Sequence, residues 1–246
     1  MPRFYIDSQQ LQKREPRITG KDVRHIRKVL RLSAGDKIEL TDGRGRVFDA
    51  SIAAFEENAV RVASLNEIKV HNESPLQLTV AQGFLKDKKM DDLIRQITEL
   101  GVSRWIPMIT ERTVARPDEK RMEKRIGRWR DIAVEAIKQC GRSMVPEISP
   151  AMNFSEVLDL SETVDLPVFF WEHAETPVIK SRDVSPKSVL LMLGPEGGFT
   201  AREADLAKKR GFAPATLGSR ILRAETAAIA ASTLVQYLFG DLQKSP

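Results

Sequence analysis

Apolar and polar positions alternate in short runs over the first third of the chain. "RFYI", "KIELTD", "RVFDASIAAF" and "AVRVASL" are rich in β-branched or aromatic residues and separated by turn residues, which predicts strands. Within "TDGRGRVF", Asp42-Gly43 and Gly45 supply the positive φ angles of a hairpin. One helix interrupts the strands. Val23, Ile26, Val29 and Leu30 recur at helical spacing, Thr19 with Asp22 resembles a capping box, and Arg24, Arg27, Lys28 and Arg31 hold the other face. Residues 1–70 therefore read as a small β-barrel-like domain with one basic helix. "KVHNESPL", Lys69 to Leu76, is polar and reads as a linker.

From there the period changes. "LQLTVAQGF", "SRWIPMIT", "LPVFFWE" and "SVLLML" are strands, the last two continuous apolar runs of the kind buried on both faces of a parallel sheet. Between them lie helices. "KMDDLIRQITELG" is stopped by Gly101, and a long helix from Glu119 carries Met122, Ile126, Trp129, Ala133, Ile137 and Cys140 as one apolar stripe. Thr200 with Glu203 forms a capping box for a helix closed by Gly211, and "AETAAIAASTLVQYLF" is a final, nearly all-apolar helix. Such alternation predicts an open α/β sheet with helices on both sides. The fold class is thus mixed α/β in two domains, 1–72 and 73–246.

Composition narrows the class. Of 246 residues, 41% are hydrophobic and 30% charged, the profile of a soluble globular protein, and no apolar run is long enough to cross a membrane. A single cysteine, Cys140, rules out an internal disulfide and suits a reducing cytoplasm. With one Cys and only His25, His71 and His173 spread along the chain, a structural metal site is not expected. The net charge is +5, and residues 1–72 carry 14 Lys/Arg against 10 Asp/Glu, so most of the excess sits in the first domain. That bias is what an anionic polymer would select. Phe4, Tyr5 and Cys140 read as packing, His25 has no catalytic role, and Lys124, Arg125, Arg128 and Arg130 read as a solvated face.

Two stretches carry candidate chemistry. "LMLGPEGGFTARE", Leu191 to Glu203, leaves a buried strand through three glycines and one acid, then opens a helix. It lacks the Gly-Lys-Ser/Thr of a phosphate-binding P-loop and the Gly-x-Gly-x-x-Gly of a dinucleotide site. It is either a plain strand-to-helix corner or a bare backbone shaped for a ligand at the carboxyl end of a sheet. The second stretch, "LGSRILRAETAAIAA" from Leu217, sets Gly218 beside Arg220, Arg223 and Glu225. The two read as opposite walls of one pocket, with an Arg223–Glu225 structural ion pair as the alternative.

Together, "LGPEGGF" and "LGSRILRAETA" resemble the paired signature of the RsmE-type 16S rRNA uridine-N3 methyltransferases of the SPOUT superfamily. "ERT" at Glu111-Arg112, "RW..I..EA..QCGR" from Arg128 to Arg142, "VPEI" at Val145 to Ile148 and "HIRKVLRLSAGD" extend the match over nearly the whole chain. The resemblance implies a PUA-like N-terminal RNA-binding domain, a C-terminal domain with a deep trefoil knot, and a homodimer using part of Ala227 to Leu238. It also implies S-adenosylmethionine as cofactor, 16S rRNA of the small ribosomal subunit as partner, and no metal. Carried over residue by residue, the donor pocket comprises Phe170 and Glu172, then Leu193, Gly194, Pro195, Glu196, Gly197 and Gly198, then Leu217, Gly218, Ser219, Ile221 and Leu222.

The pocket makes chemical sense of the bare loops. An adenine ring needs apolar walls and backbone edges, while a methionine ammonium suits a nearby acid, Glu172 or Glu196. Uracil N3 is a weak nucleophile until its proton leaves. Arg223 is therefore expected to stabilise the uracil anion, with Glu225 or Glu196 as proton acceptor. Arg112 is a candidate contact to RNA, Gln139 and Arg142 belong to the rim of the site, and Arg24, Arg27, Lys28 and Arg31 face rRNA phosphates. The rival readings are a related methyltransferase acting on ribose 2′-O or tRNA, and a non-catalytic RNA-binding assembly factor.

Overall fold

The structure is a computed structural model; it describes residues 1–86, 88–114, 118–175 and 185–243. The chain divides into two compact units. The first comprises residues 1–73 with 134–145, and the second 74–133 with 146–246.

The first unit is a five-stranded sheet of β1 (Arg3–Tyr5), β2 (Arg17–Thr19), β3 (Lys37–Thr41), β4 (Val47–Phe55) and β5 (Ala59–Ile68), in the order β1-β3-β4-β5-β2. The expected hairpin joins β3 to β4 in antiparallel register, Leu40 opposite Phe48. Gly43 and Gly45 turn it, at φ 67° and 102°. Inward residues of every strand meet in one core of Phe4, Ile18, Ile26, Leu40, Ile52 and Val60.

Beside the short helix α1 (Ser8–Leu11), the basic helix is α2 (Lys21–Arg24), continuing as a π-helical turn, His25–Val29. The expected Thr19/Asp22 capping box is not formed. Gly20 is the N-cap, Thr19 ends β2, and the Asp22 carboxylate instead accepts from Lys138 Nζ at 2.7 Å. Both groups are nearly buried, so the ion pair outweighs the local cap.

The second unit is an all-parallel sheet of β6 (Gln77–Gly83), β7 (Arg104–Ile109), β8 (Glu147–Ile148), β10 (Leu166–Phe170), β11 (Ser188–Leu193) and β12 (Ala213–Ala215), in the order β12-β10-β11-β6-β7-β8, with β9 (Met152–Asn153) also on β7. The continuous apolar strands "LPVFF" and "SVLLML" lie side by side. Strand alternation sends successive residues to opposite faces. Ala81, Ile106, Met108, Phe169, Leu190 and Met192 pack against α5 (Phe154–Asp159) and α6 (Ala201–Lys209). On the other face Trp105 meets Trp129 of α4 (Glu119–Cys140) at 4.8 Å between ring centroids, and α3 (Lys89–Glu99) packs against α7 (Ala224–Phe239), itself laid over β11 and β6. Helices therefore cover both faces, as the alternation requires. Thr200 and Glu203 form the expected capping box of α6, and Gly101 ends α3 at φ 79°. No helix among the described residues is long and apolar enough to cross a membrane.

Candidate functional site

Three chain segments leave the carboxyl ends of neighbouring strands and enclose one cleft of about 720 Å³. Residues 170–172 follow β10, residues 193–198 follow β11, and residues 215–224 follow β12 and lead into α7. Phe170, Glu172, Leu193, Gly194, Pro195, Glu196, Gly197, Gly198, Leu217, Gly218, Ser219, Ile221 and Leu222 all line it, as does Arg223. The rest of the loop after Phe170, residues 176–184, lies outside the described residues. The two glycine-bearing corners are thus walls of a single cavity. Among the described residues no cluster of His, Cys, Asp and Glu could hold a metal ion.

The wall formed by residues 194–198 is shaped by close backbone approach. At Gly83, the end of β6, an added Cβ would lie 2.4 Å from Pro195 N and 2.7 Å from Gly194 C, so only glycine fits. Next to it, the buried Gln82 donates Nε2–H to Gly194 O at 2.8 Å and leaves its Oε1 without a hydrogen bond. Gly198 has φ 64°, and a Cβ there would meet the Glu172 carboxylate at 3.0 Å, which places that acid against the loop. Arg112 donates Nη1–H to Gly197 O at 2.6 Å, and its aliphatic stem would meet a Cβ at Gly197 at 3.3 Å. Its guanidinium braces the wall through Gly197 O and Phe199 O and is not a cleft-lining group. Neither Gln82 nor Gly83 carries a signal in one sequence, because their meaning comes from a neighbour more than a hundred residues away.

Charge is organised around a residue the sequence reading missed. Lys89, at the start of α3, reaches Glu196 Oε1 at 3.3 Å and Glu225 Oε2 at 3.5 Å. Glu196 also accepts the Lys86 amide N–H at 3.0 Å. Partial burial works against the ionised form of Glu196, but the Lys86 amide and Lys89 outweigh it and hold its carboxyl below the usual range. The hydrogen bond to Glu196, with Glu225 nearby, raises the pKa of Lys89 above that of an ordinary lysine. Glu196 therefore braces its loop as a carboxylate. In place of the alternative Arg223–Glu225 ion pair, Glu225 pairs with Lys89, while Arg223 is exposed at the start of α7. Glu225 itself does not line the cleft, although Ala224 and Ala227 on either side of it in the chain do.

The remaining predicted contacts divide sharply. In the first unit Arg24, Lys28 and Arg31 are exposed. Val29, near them in the chain, is 64% exposed, and Arg31 takes φ 55° just after the π-helical turn. Arg27 is not part of that open face. It donates to Glu56 O, lies 5.3 Å over the Phe55 ring, and is half-buried. Arg142 is 6% exposed, and its Nη2 pairs with Glu73 Oε2 at 2.9 Å. The same carboxylate accepts the amides of Ser143 and Met144, so Arg142 locks a loop within the first unit rather than facing solvent. Gln139, in the same unit, is exposed.

Comparison with known proteins agrees with this geometry. Residues 72–236 match the model of an RNA methyltransferase domain, and residues 18–63 match that of an RNA methyltransferase PUA domain. Ribosomal RNA small subunit methyltransferase E of Rickettsia conorii is 31% identical over 240 residues, covering 96% of this chain and 95% of its own. A putative methyltransferase from Legionella pneumophila, solved in complex with bound SAM, superposes with a TM-score of 0.91 at 32% identity, over 98% and 99% of the two chains. The ribosomal RNA small subunit methyltransferase E from Neisseria gonorrhoeae bound to S-adenosyl methionine gives 0.84 at 34% identity, over 98% and 99%.

Proposed function

The chain belongs to the RNA methyltransferase family defined by those two domains, and from that membership we propose that it methylates N3 of one uridine in the 16S rRNA of the small ribosomal subunit, with S-adenosylmethionine as donor. One observation carries the reading: two glycine-bearing corners from separate strand ends enclose a single cleft with apolar walls and open backbone edges. The donor fits the residues present. Leu193, Leu217 and Leu222 offer walls for a flat ring, the main chain at Gly194 and Gly218 offers hydrogen-bonding edges, and Glu172 offers a carboxylate to an ammonium group.

When bound, the donor supplies an electrophilic methyl group to the ring nitrogen. The chain's own residues then have three tasks. Arg223, exposed at the cleft, stabilises the negative charge that spreads onto uracil O2 and O4 as N3 loses its proton. Glu225 is the acceptor in this reading, with Glu196, which the Lys86 amide and Lys89 hold ionised, as the alternative. The loops fix the relative position of the two reactants, which supplies much of the rate. Arg24, Lys28 and Arg31 meet RNA phosphates on the first unit, which acts as the PUA-like RNA-binding domain.

The reading includes a second domain from residue 73, with a deep trefoil knot at the cleft, supported by the family resemblance of the two loops. It includes a homodimer built on α7, where Leu234, Tyr237 and Leu238 are exposed large side chains on one helix. The ribosomal substrate places the reaction in the cytoplasm.

The deciding experiment is calorimetric titration with S-adenosylmethionine, followed by mapping of methylated nucleosides in small-subunit rRNA incubated with labelled donor. Absence of donor binding at millimolar ligand would sink the reading, and a label on ribose would redirect it. Arg223→Ala is expected to bind donor normally while losing turnover by roughly 100-fold or more, as removal of a charge-stabilising donor does.

A further inference from the structure

Lys89 occupies a position that the methyl-transfer reading leaves without a role. It stands at the first residue of α3 and lines the cleft. Its ammonium lies 3.3 Å from Glu196, on the loop after β11, and 3.5 Å from Glu225, in the first turn of α7. Those two acids belong to the two separate stretches that enclose the cleft. Without a cation between them, two carboxylates converge on the same small volume, one partly shielded from water and the other with a buried Oε2. Like charges so placed repel. Gln82 and Arg112 hold carbonyls of loop 194–198, and the Lys86 amide donates to Glu196, but none of these reaches Glu225.

On the reading that this cleft takes the methyl donor, we infer that Lys89 is a positioning residue: it clamps the loop of Glu196 to the start of the last helix and so holds the cleft at its donor-binding width. It touches neither reacting atom in this role. It acts by cancelling the repulsion between Glu196 and Glu225. Three consequences distinguish this from ordinary structural support. Loss of the charge should weaken donor binding more than it lowers the turnover number at saturating donor. A guanidinium should replace the ammonium. Neutralising Glu196 should relieve the loss of Lys89, since the repulsion then disappears.

The test uses the full chain and four variants: Lys89→Met, Lys89→Arg, Glu196→Gln and the double variant Lys89→Met with Glu196→Gln. S-adenosylmethionine affinity is read by calorimetry, and hydrogen exchange is followed at the amides of 194–198 and 217–222. Lys89→Met is expected to bind donor roughly tenfold more weakly, the equivalent of about 1.4 kcal/mol, and to exchange faster in both loops. Lys89→Arg is expected to stay within about threefold of the parent, and the double variant to recover most of the loss. Unchanged affinity and exchange in Lys89→Met would overturn the inference. So would a double variant as weak as Lys89→Met. A parent protein that binds no donor would sink the functional reading, while the exchange of Lys89→Met against the double variant would still decide the clamp.

Discussion

At the scale of single residues, the cleft depends on an atom that is missing. Gly83 has no Cβ, and the loop after β11 fills the space where one would be, with backbone atoms 2.4 and 2.7 Å from that point. Backbone does not swing away as a flexible side chain does. Gly83→Ala is therefore expected to displace the loop, at a cost of ~1–3 kcal/mol of stability and a loss of donor affinity, read by thermal unfolding and titration. Gly127→Ala is the control: that glycine lies within α4 with nothing within 4 Å of a new Cβ, so the change should stabilise by ~0.5–1 kcal/mol. A Gly83→Ala variant as stable as the parent would refute the close-packing argument. The contrast shows what a single sequence conveys. Gly194, Gly197 and Gly198 stand together and announce a special loop, but Gly83, Gln82 and Lys89 look ordinary until strands and helices distant in the chain are brought side by side. Arg27 and Arg142 mislead for the same reason, because their partners Glu56, Phe55 and Glu73 lie outside any local pattern.

At the scale of elements, strands and helices of some length were readable, and of the short ones β1 was read while several others were not. The "AETAAIAASTLVQYLF" helix runs over Ala224–Phe239 as its pattern predicts, since a nearly unbroken apolar run bounded by charge and glycine leaves little choice. The strand Arg17–Thr19 and the helices Ser8–Leu11 and Phe154–Asp159 escaped, having too few residues to display a period. The β3–β4 hairpin offers a pH test. Burial opposes ionisation of Asp42, but the Arg44 amide, the Arg46 guanidinium and the Arg46 amide together hold its carboxyl below the usual range. A carboxylate with a lowered folded pKa contributes stability above its unfolded pKa, near 4, and that contribution fades as pH falls toward the folded value. The parent should thus lose stability below about pH 4 more steeply than Asp42→Asn, as measured by denaturant unfolding at a series of pH values. Parallel curves would remove Asp42 from the account.

For the molecule as a whole, the sequence conveyed a β-rich first part and an α/β second part, because the period of the apolar residues changes at the boundary. It gave no strand order, since an order such as β12-β10-β11-β6-β7-β8 is fixed by packing between distant segments. The charge bias of the first unit has a global consequence under the proposed function. If Arg24, Lys28 and Arg31 each neutralise one RNA phosphate, replacing any one with Ala should weaken rRNA binding and lower the slope of log affinity against log salt by ~1, leaving donor affinity intact. An unchanged slope in all three variants would move the RNA-binding face elsewhere.

The pairing of β6 with β11 also sets a timetable. Gln77 is hydrogen-bonded in register with Ser188, and Gln82 with Leu193, so the middle of the sheet joins segments about 110 residues apart. During synthesis the sheet of the first unit can close while β11 is still unmade. β11 and the loops that build the cleft follow only when most of the chain has emerged. Contacts of such long range form slowly, on the order of milliseconds to seconds, because the connecting chain must be closed before any pairing rewards it. A truncated product is therefore left with an exposed edge at β6 and no cleft, so the capacity for chemistry arrives last in the life of each new molecule.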